Sequence, residues 1–340
     1  MAADQTDRRQ TIGRILILAV GAIVALFAGW WAFVTIPDGS LAILLGVLLT
    51  IATVILGLRF ASRVAQSRFP GYNVAEVAVE GPISRDGGGR FPSTPGGAHA
   101  DQVVEQIDAA NDDGNVSALI VRLNTPGGEV VPSDDIRLAV ERFEGPTVAY
   151  ATDVCASGGY WIASGCDELW AREATIVGSI GVIGSRVNAT ELADKLGLSY
   201  ERFAAGKFKD AGTPLKEVSD AERDYLQGII DDLYDHFVTR VTEARDLSES
   251  EVRATEAKVY LGEEAVDLGL VDALGTRESV EDRVAELLGL PSVSVVEFVP
   301  QRSLTERFSL GVERIAFAAG SGVGRVLTRE GESSEMNIRL

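Results

Sequence analysis

The sequence predicts an α/β domain carried on an N-terminal transmembrane helical hairpin, and three observations predict it. Two long uncharged runs fill most of residues 15–58. Beyond residue 72, short β-rich apolar runs alternate with helix-like segments. Charge changes sign between these parts: residues 1–70 carry six arginines and three aspartates, whereas the rest holds 25 basic and 47 acidic side chains, a net −22.

In the hairpin, Ile15–Ile36 gives 22 residues without a charge. At ~1.5 Å per residue such a helix reaches ~33 Å and crosses a hydrocarbon core. Pro37, Asp38, Gly39 and Ser40 form a turn, and Leu41–Leu58 supplies a second span of 18 residues closed by Arg59. A secretory signal would show a shorter apolar region and a small-residue cleavage site, so the pair reads as a permanent anchor. Residues 1–14 are then a tail and 59–72 a linker. Trp30 and Trp31 fit an interfacial belt near the turn. Arginines flank both outer ends while the turn carries only Asp38, so the positive-inside rule puts residues 71 onward on the cytoplasmic side of the cell membrane. A re-entrant Leu41–Leu58 would place them on the extracytoplasmic face instead.

Asn73–Val79, Ala118–Leu123 and Thr147–Ala151 read as strands, and Ala100–Ala110 and Ser133–Phe143 as helices. Between the first strand and first helix, residues 87–97 are rich in Gly, Pro and Ser and read as a loop. Ser219-Asp220-Ala221-Glu222 is a capping box opening a long helix, in which Leu226, Ile230, Leu233, Phe237 and Val241 form a helical-period stripe expected in the core. Helices around Ser248–Ala254, Gly262–Leu268 and Ser279–Leu288 and a strand at Ser292–Phe298 complete a domain over residues 73–300. An amphipathic helical segment (301–328) and a disordered tail (329–340) follow.

The strongly acidic balance repels nucleic acid and anionic headgroups, which excludes a nucleic-acid partner. Disorder is excluded for the domain as a whole by 46% hydrophobic residues. Only five of the 31 basic residues are lysine (195, 207, 209, 216 and 258), and abundant carboxylates with few lysines point to a halophilic setting where salt screens self-repulsion. Cys155 and Cys166 have no Cys or His neighbours and read as buried small hydrophobes, so neither a metal site nor a disulfide is expected. No phosphate loop, His-Glu-x-x-His or Gly-x-Gly-x-x-Gly element is present, and no cofactor is expected.

A Ser-His-Asp hydrolase needs a histidine, and the chain has only His99, in the glycine-rich loop, and His236, on a charged face of the long helix. Any hydrolase here uses another base. Two glycine-bearing strand ends stand out. In Leu123-Asn124-Thr125-Pro126-Gly127-Gly128-Glu129, the glycines expose backbone N–H groups as an oxyanion hole requires. In Asp153-Val154-Cys155-Ala156-Ser157-Gly158-Gly159-Tyr160, Ser157 sits at a helix N-terminus, where free N–H groups favour a developing oxyanion. The plain alternative is that Ser157 caps that helix.

Asn124–Gly128, Ala156–Tyr160, Gly178-Ser179-Ile180-Gly181-Val182 and Lys207–Asp210 together, in this order, resemble the signal peptide peptidase A family, membrane-anchored Ser-Lys proteases with a Clp/crotonase-like β-β-α superhelix fold. The resemblance spans roughly residues 71–275. It implies Ser157 as nucleophile, Lys209 as general base, Ser179 as the hydroxyl holding the lysine amine, and Gly128 and Gly158 as oxyanion-hole donors. A free lysine amine (pKa ~10.4) becomes a base near neutral pH once burial lowers it toward ~7–8. Lys207 is the rival: in an extended segment it shares a face with Lys209, so alternation does not choose, and only the family's Lys-Asp pair favours Lys209. The resemblance further implies hydrophobic peptide substrates such as cleaved signal peptides, a homo-oligomer, and a small apolar pocket near Tyr160 and Ile180. Two spans depart from the single span usual in bacterial members. Three other readings stay open: a quality-control protease for one membrane protein, a non-catalytic oligomeric scaffold that binds hydrophobic segments, and a crotonase-type acyl-CoA enzyme, which leaves the two membrane spans and the Ser157 setting unexplained.

Overall fold

The computed structural model describes residues 2–35, 40–69, 71–85 and 97–299. Most of the glycine-rich loop and the segments expected at 301–328 and 329–340 lie outside the described residues.

The hairpin consists of α1 (Ala2–Trp30), extended by a π-helical turn at Trp31–Thr35, and α2 (Ser40–Arg68). Within it, Ile12–Thr35 and Leu45–Ala65 are long and apolar enough to cross a membrane, with mean hydropathies of 2.4 and 2.0. Both helices outrun the expected boundaries. The tail is helical from Ala2, and α2 continues through most of the expected linker because no glycine or proline interrupts the chain between Arg59 and Arg68. The helices meet through small residues: a Cβ on Gly21 would lie 2.5 Å from that of Ala61, and one on Gly57 would lie 2.4 Å from that of Ala25. Arg14 Nε donates to Phe69 O at 2.6 Å, tying the start of α1 to the exit of α2.

In chain order the domain contains β1 (Val74–Glu80), β2 (Ile83–Ser84), β3 (Ala98–His99), α3 (Ala100–Asn111), β4 (Ala118–Thr125), α4 (Val130–Glu141), β5 (Thr147–Ala156) and α5 (Gly158–Ala163). Then come β6 (Glu168–Ala171), β7 (Ile176–Gly178), α6 (Thr190–Lys195), α7 (Asp220–Ala244), α8 (Glu249–Ala254), β8 (Val259–Leu261), α9 (Gly262–Asp267), β9 (Ala273–Leu274), α10 (Arg277–Leu287) and β10 (Val295–Glu297). The main sheet runs β10-β1-β4-β5-β6-β9, all parallel, and β7 adds to β5 and pairs antiparallel with β8. This is the α/β arrangement the alternating pattern predicts. β1, β4 and β5 are near-continuous apolar runs because both faces are covered. On one face Val77, Leu119, Val121 and Ala149 pack with Ile107, Ile136 and Ile162 of α3, α4 and α5. On the other, Ile120, Val148 and Tyr150 pack with Val280 and Val284 of α10.

β5 is the strand that builds the site. Val148–Ala151 pair with β6, whereas Val154–Ala156 pair with β7, and the register against β4 slips between Leu123 and Thr125. The chain beyond Ala151 thus leaves one neighbour for another and delivers Ala156 to the sheet's carboxyl edge.

The capping box at Ser219 and Glu222 forms as expected. The α7 stripe is core only in its second half: Phe237 and Val241 are buried, while Leu226, Ile230 and Leu233 are half-buried. Both cysteines are free and buried.

A tight turn at Thr255–Lys258 closes with Lys258 N donating to Thr255 O at 2.9 Å, and places Glu256 and Ala257 at φ of 50° and 56°. Two successive positive φ values define a turn that favours glycine. Ala257 is exposed, so its methyl contributes strain of ~1–2 kcal/mol and little packing. Ala257→Gly is expected to stabilise the fold by about 0.5–1 kcal/mol after the added entropy of an unfolded glycine. A lower melting temperature in this variant would refute the strain.

Candidate active site

Two strand ends meet at the carboxyl edge of the sheet. After β4, the Pro126-Gly127-Gly128 turn is fastened on both sides. Thr125 Oγ1 donates to Gly81 O at 2.6 Å and accepts from Gly127 N at 3.0 Å. Ile83 of β2 lies alongside, donating to Gly127 O at 3.0 Å and accepting from Glu129 N at 2.9 Å. The strap is anchored in turn by Arg85, whose guanidinium pairs with Asp101 of α3 and Asp135 of α4. No sequence signal marked this strap, because a two-residue strand has no period to read.

After β5, Ser157 takes φ 53° and ψ −119°, its N–H donates to Gly178 O at 2.9 Å, and its carbonyl accepts from Trp161 N at 2.9 Å. Its side chain makes no capping hydrogen bond. The capping alternative therefore falls: a capping serine adopts extended backbone and turns its hydroxyl to its own helix, whereas Ser157 stands on a sharp elbow with the hydroxyl free of that duty. Positive φ at a non-glycine residue costs free energy, and strain of this kind concentrates at functional sites. Ser179 follows the same design one strand over. Ala156 and Gly178 are register partners, so Ser157 and Ser179 each begin the segment beyond a paired residue, and Ser179 has φ 52° with its N–H donating to Lys258 O at 2.8 Å.

The glycine turn and the serine elbow touch. A Cβ on Gly127 would sit 2.5 Å from Gly158 N and 2.8 Å from Ser157 Cβ, and one on Gly158 would sit 3.1 Å from Gly128 N. Neither the Gly128 nor the Gly158 N–H has an acceptor among the described residues. The structure thus gathers Ser157, Ser179, Gly128 and Gly158 into one place: a hydroxyl on an elbow beside two unengaged N–H donors, an arrangement suited to acyl transfer.

Lys209 makes no hydrogen bond to that cluster. Residues 205–212 form a run of turns, not the extended segment in which alternation would apply, and Lys209 is exposed. Its amine has no hydrogen bond or ion pair with any described residue, whereas Lys207 Nζ lies 4.8 Å above the Phe208 ring. Tyr160 and Ile180 are fully buried, and the Tyr160 hydroxyl donates to Leu270 O at 2.7 Å, so neither lines an open pocket as expected. Burial pushes the Cys155 thiol up to about 12, which leaves it protonated and unreactive near neutral pH. His236 is exposed on α7, and His99 ends β3.

The family model of peptidase family S49 matches residues 141–291, a span that includes Ser157, Gly158, Ser179 and Lys209. "Putative protease MJ0651" of Methanocaldococcus jannaschii is 33% identical over 267 residues, 76% of this chain and 84% of that protein. "Putative signal peptide peptidase SppA" of Enterococcus faecium is 29% identical over 66% of each chain. Among solved structures, the membrane-bound stomatin-specific protease 1510-N with a substrate peptide is similar at 16% identity, covering 72% of this chain and 98% of its own, with a TM-score of 0.44. By its match to the relative from Methanocaldococcus jannaschii and to the family model, the chain belongs to peptidase family S49.

Proposed function

We propose that this S49 protease is a membrane-anchored, ATP-independent serine endopeptidase that hydrolyses cleaved signal peptides and other hydrophobic, membrane-derived peptides. The observation that carries the reading is the strained Ser157 elbow packed against the Gly127–Gly128 turn. Ser157 Oγ attacks the scissile carbonyl and gives its proton to the neutral amine of Lys209, which Ser179 orients. Gly128 and Gly158 N–H groups receive the oxyanion. The protonated amine then releases the leaving peptide, and water hydrolyses the acyl-enzyme by the reverse proton path.

Lys209 reaches the serine from a neighbouring copy in a homo-oligomer. Its exposed position and an amine without a hydrogen bond or ion pair among the described residues support this. So does the apolar surface preceding it, where Ile183, Val187, Leu192, Leu196, Leu198 and Phe203 are all more than half exposed. Covering that surface would also desolvate the amine, as a lysine base requires. The hairpin anchors the domain to the bilayer, on the cytoplasmic face by the distribution of its arginines.

Covalent labelling by a fluorophosphonate probe, on detergent-solubilised protein in high salt, tests the assignment. Wild type and Lys207→Ala are expected to label, and folded Ser157→Ala and Lys209→Ala are not. Mixing the two inactive variants is expected to restore part of the signal if base and nucleophile come from different copies. Labelling or peptide cleavage retained in Ser157→Ala would overturn the nucleophile, and a wild type that neither labels nor cleaves peptide would favour the scaffold reading.

A further inference from the structure

The turn that carries Lys209 is built around a nearly buried ion cluster that neither catalysis nor the core explains. The Asp210 carboxylate, with 9% of its side chain exposed, receives Arg202 Nε at 2.7 Å and Lys216 Nζ at 3.0 Å, both on Oδ2. Lys216 also pairs with Glu222 on the first turn of α7, itself 8% exposed. The Arg202 guanidinium bonds Gly206 O at 3.3 Å and Lys207 O at 3.4 Å, on the residues leading into Lys209. Phe208 stacks on Tyr225 of α7 at 4.9 Å. Lys209 is therefore bracketed, its neighbours on both sides held while its own amine stays free. Asp210 Oδ1 is buried and has no partner among the described residues.

We infer that Asp210 is a positioning residue for Lys209: Arg202 and Lys216 hold its carboxylate in place, fixing the turn, and by occupying it keep it from pairing with the Lys209 amine. This deepens the proposed function and rests on Lys209 being the base. An aspartate next in sequence is the natural ion partner of a lysine, and such a pair would keep the amine protonated and useless as a base. Two cations on one oxygen remove that competition. If one is lost, the less neutralised carboxylate attracts the Lys209 amine.

The charged and titratable groups around the turn are Arg202, Lys207, Asp210, Lys216 and Glu217 in the loop, Glu222 and Tyr225 on α7, and Arg186, whose guanidinium bonds Lys216 O at 2.8 Å. Arg202 chiefly, then Lys216, holds the Asp210 carboxyl below its usual range. Glu222 is held at about 2 by Lys216 first and Ser219 next, and Glu222 and Asp210 raise the Lys216 amine above its ordinary value. These three stay ionised between pH 6 and 9, so a profile that moves within that window reports the catalytic amine.

The test is the pH dependence of fluorophosphonate labelling rate in the full-length protein, with folding checked by melting temperature. Lys216→Gln is expected to move the profile to higher pH, because it removes a cation and frees two carboxylates. A shift of about one unit lowers the rate below the midpoint about tenfold, recovered at alkaline pH. Lys216→Arg keeps the wild-type profile. Asp210→Asn moves the midpoint the other way and lowers the plateau, because the anion goes and the turn loosens. Unchanged midpoints in folded Lys216→Gln and Asp210→Asn, with labelling still abolished by Lys209→Ala, would overturn the positioning role alone. Labelling that survives Lys209→Ala would overturn the base assignment beneath it.

Discussion

Gly127→Ala is expected to reduce peptidase turnover on the order of 10²–10³-fold, the loss typical of a disrupted oxyanion hole. The added methyl would meet Gly158 N at 2.5 Å, Ala156 O at 2.8 Å and Ser157 Cβ at 2.8 Å, and two of these are backbone atoms that cannot swing aside. The residue also sits at φ 92°, where an L side chain is strained before any collision. Relief requires the glycine turn to retreat from the serine elbow, carrying the Gly128 N–H away from the oxyanion position proposed above. Retreat is resisted by Ile83, hydrogen-bonded on both sides of Gly128, so the fold also loses about 2–3 kcal/mol. Gly228→Ala is the control. It lies in the middle of α7 with nothing within 4 Å of its would-be methyl, and is expected to raise stability by up to about 1 kcal/mol with turnover unchanged. Steady-state cleavage of a hydrophobic peptide and a thermal melt read both variants. Near-normal turnover in folded Gly127→Ala would mean that the glycine turn does not serve the chemistry.

The parts of this fold that could be read from sequence are those whose burial is uniform along the element. β4 and β5 are covered on both faces, so they stay apolar throughout, and α7 announces its start with a capping box. β6, β7, β8 and β9 have two to four residues each, and β9 pairs with β6 about a hundred residues away, beyond any local pattern. Ser157, Gly128 and Gly158 could be singled out as candidates because they lie within three residues of a strand end, where a turn must expose backbone. Their mutual contact was not, since it depends on the β4–β5 slip and the Ile83 strap. Tyr160 and Ile180 misled for a physical reason: α5 is apolar all round, so Tyr160 has no polar face to distinguish cleft from core. Lys209 could be singled out by its motif but not located, because the turns around it are set by the Arg202–Asp210–Lys216–Glu222 cluster and not by local propensity.

Arg245→Ala is expected to cost about 3–5 kcal/mol of stability. Arg245 closes α7 with 2% of its side chain exposed. Its guanidinium donates to Ala163 O at 3.1 Å, the last residue of α5, and to Ala244 O at 3.0 Å, and lies 3.7 Å from the Asp272 carboxylate. Ala244 O has no other donor among the described residues, so orphaning it costs about 1–3 kcal/mol, whereas Ala163 O keeps the bond from Cys166 N at 3.1 Å and loses only its second donor. The missing stem adds a cavity beside Cys155, Tyr160 and Cys166. Arg245→Met separates the two contributions, because it keeps most of the volume and removes both the hydrogen bonds and the charge. A methionine variant as stable as wild type would show that packing carries the residue and that burying the cation offsets its own bonds. A loss close to that of alanine would show that the helix-end carbonyls carry it. The consequence reaches the chemistry through α5, which is only six residues long and has Ser157 at one end and Ala163 at the other. With its far end released, the elbow loses its backing, so denaturant unfolding and fluorophosphonate labelling are expected to fall together in the alanine variant. Labelling at the wild-type rate in a destabilised but folded protein would show that the strand pairing of Ala156 with Gly178 holds the elbow without help from the helix.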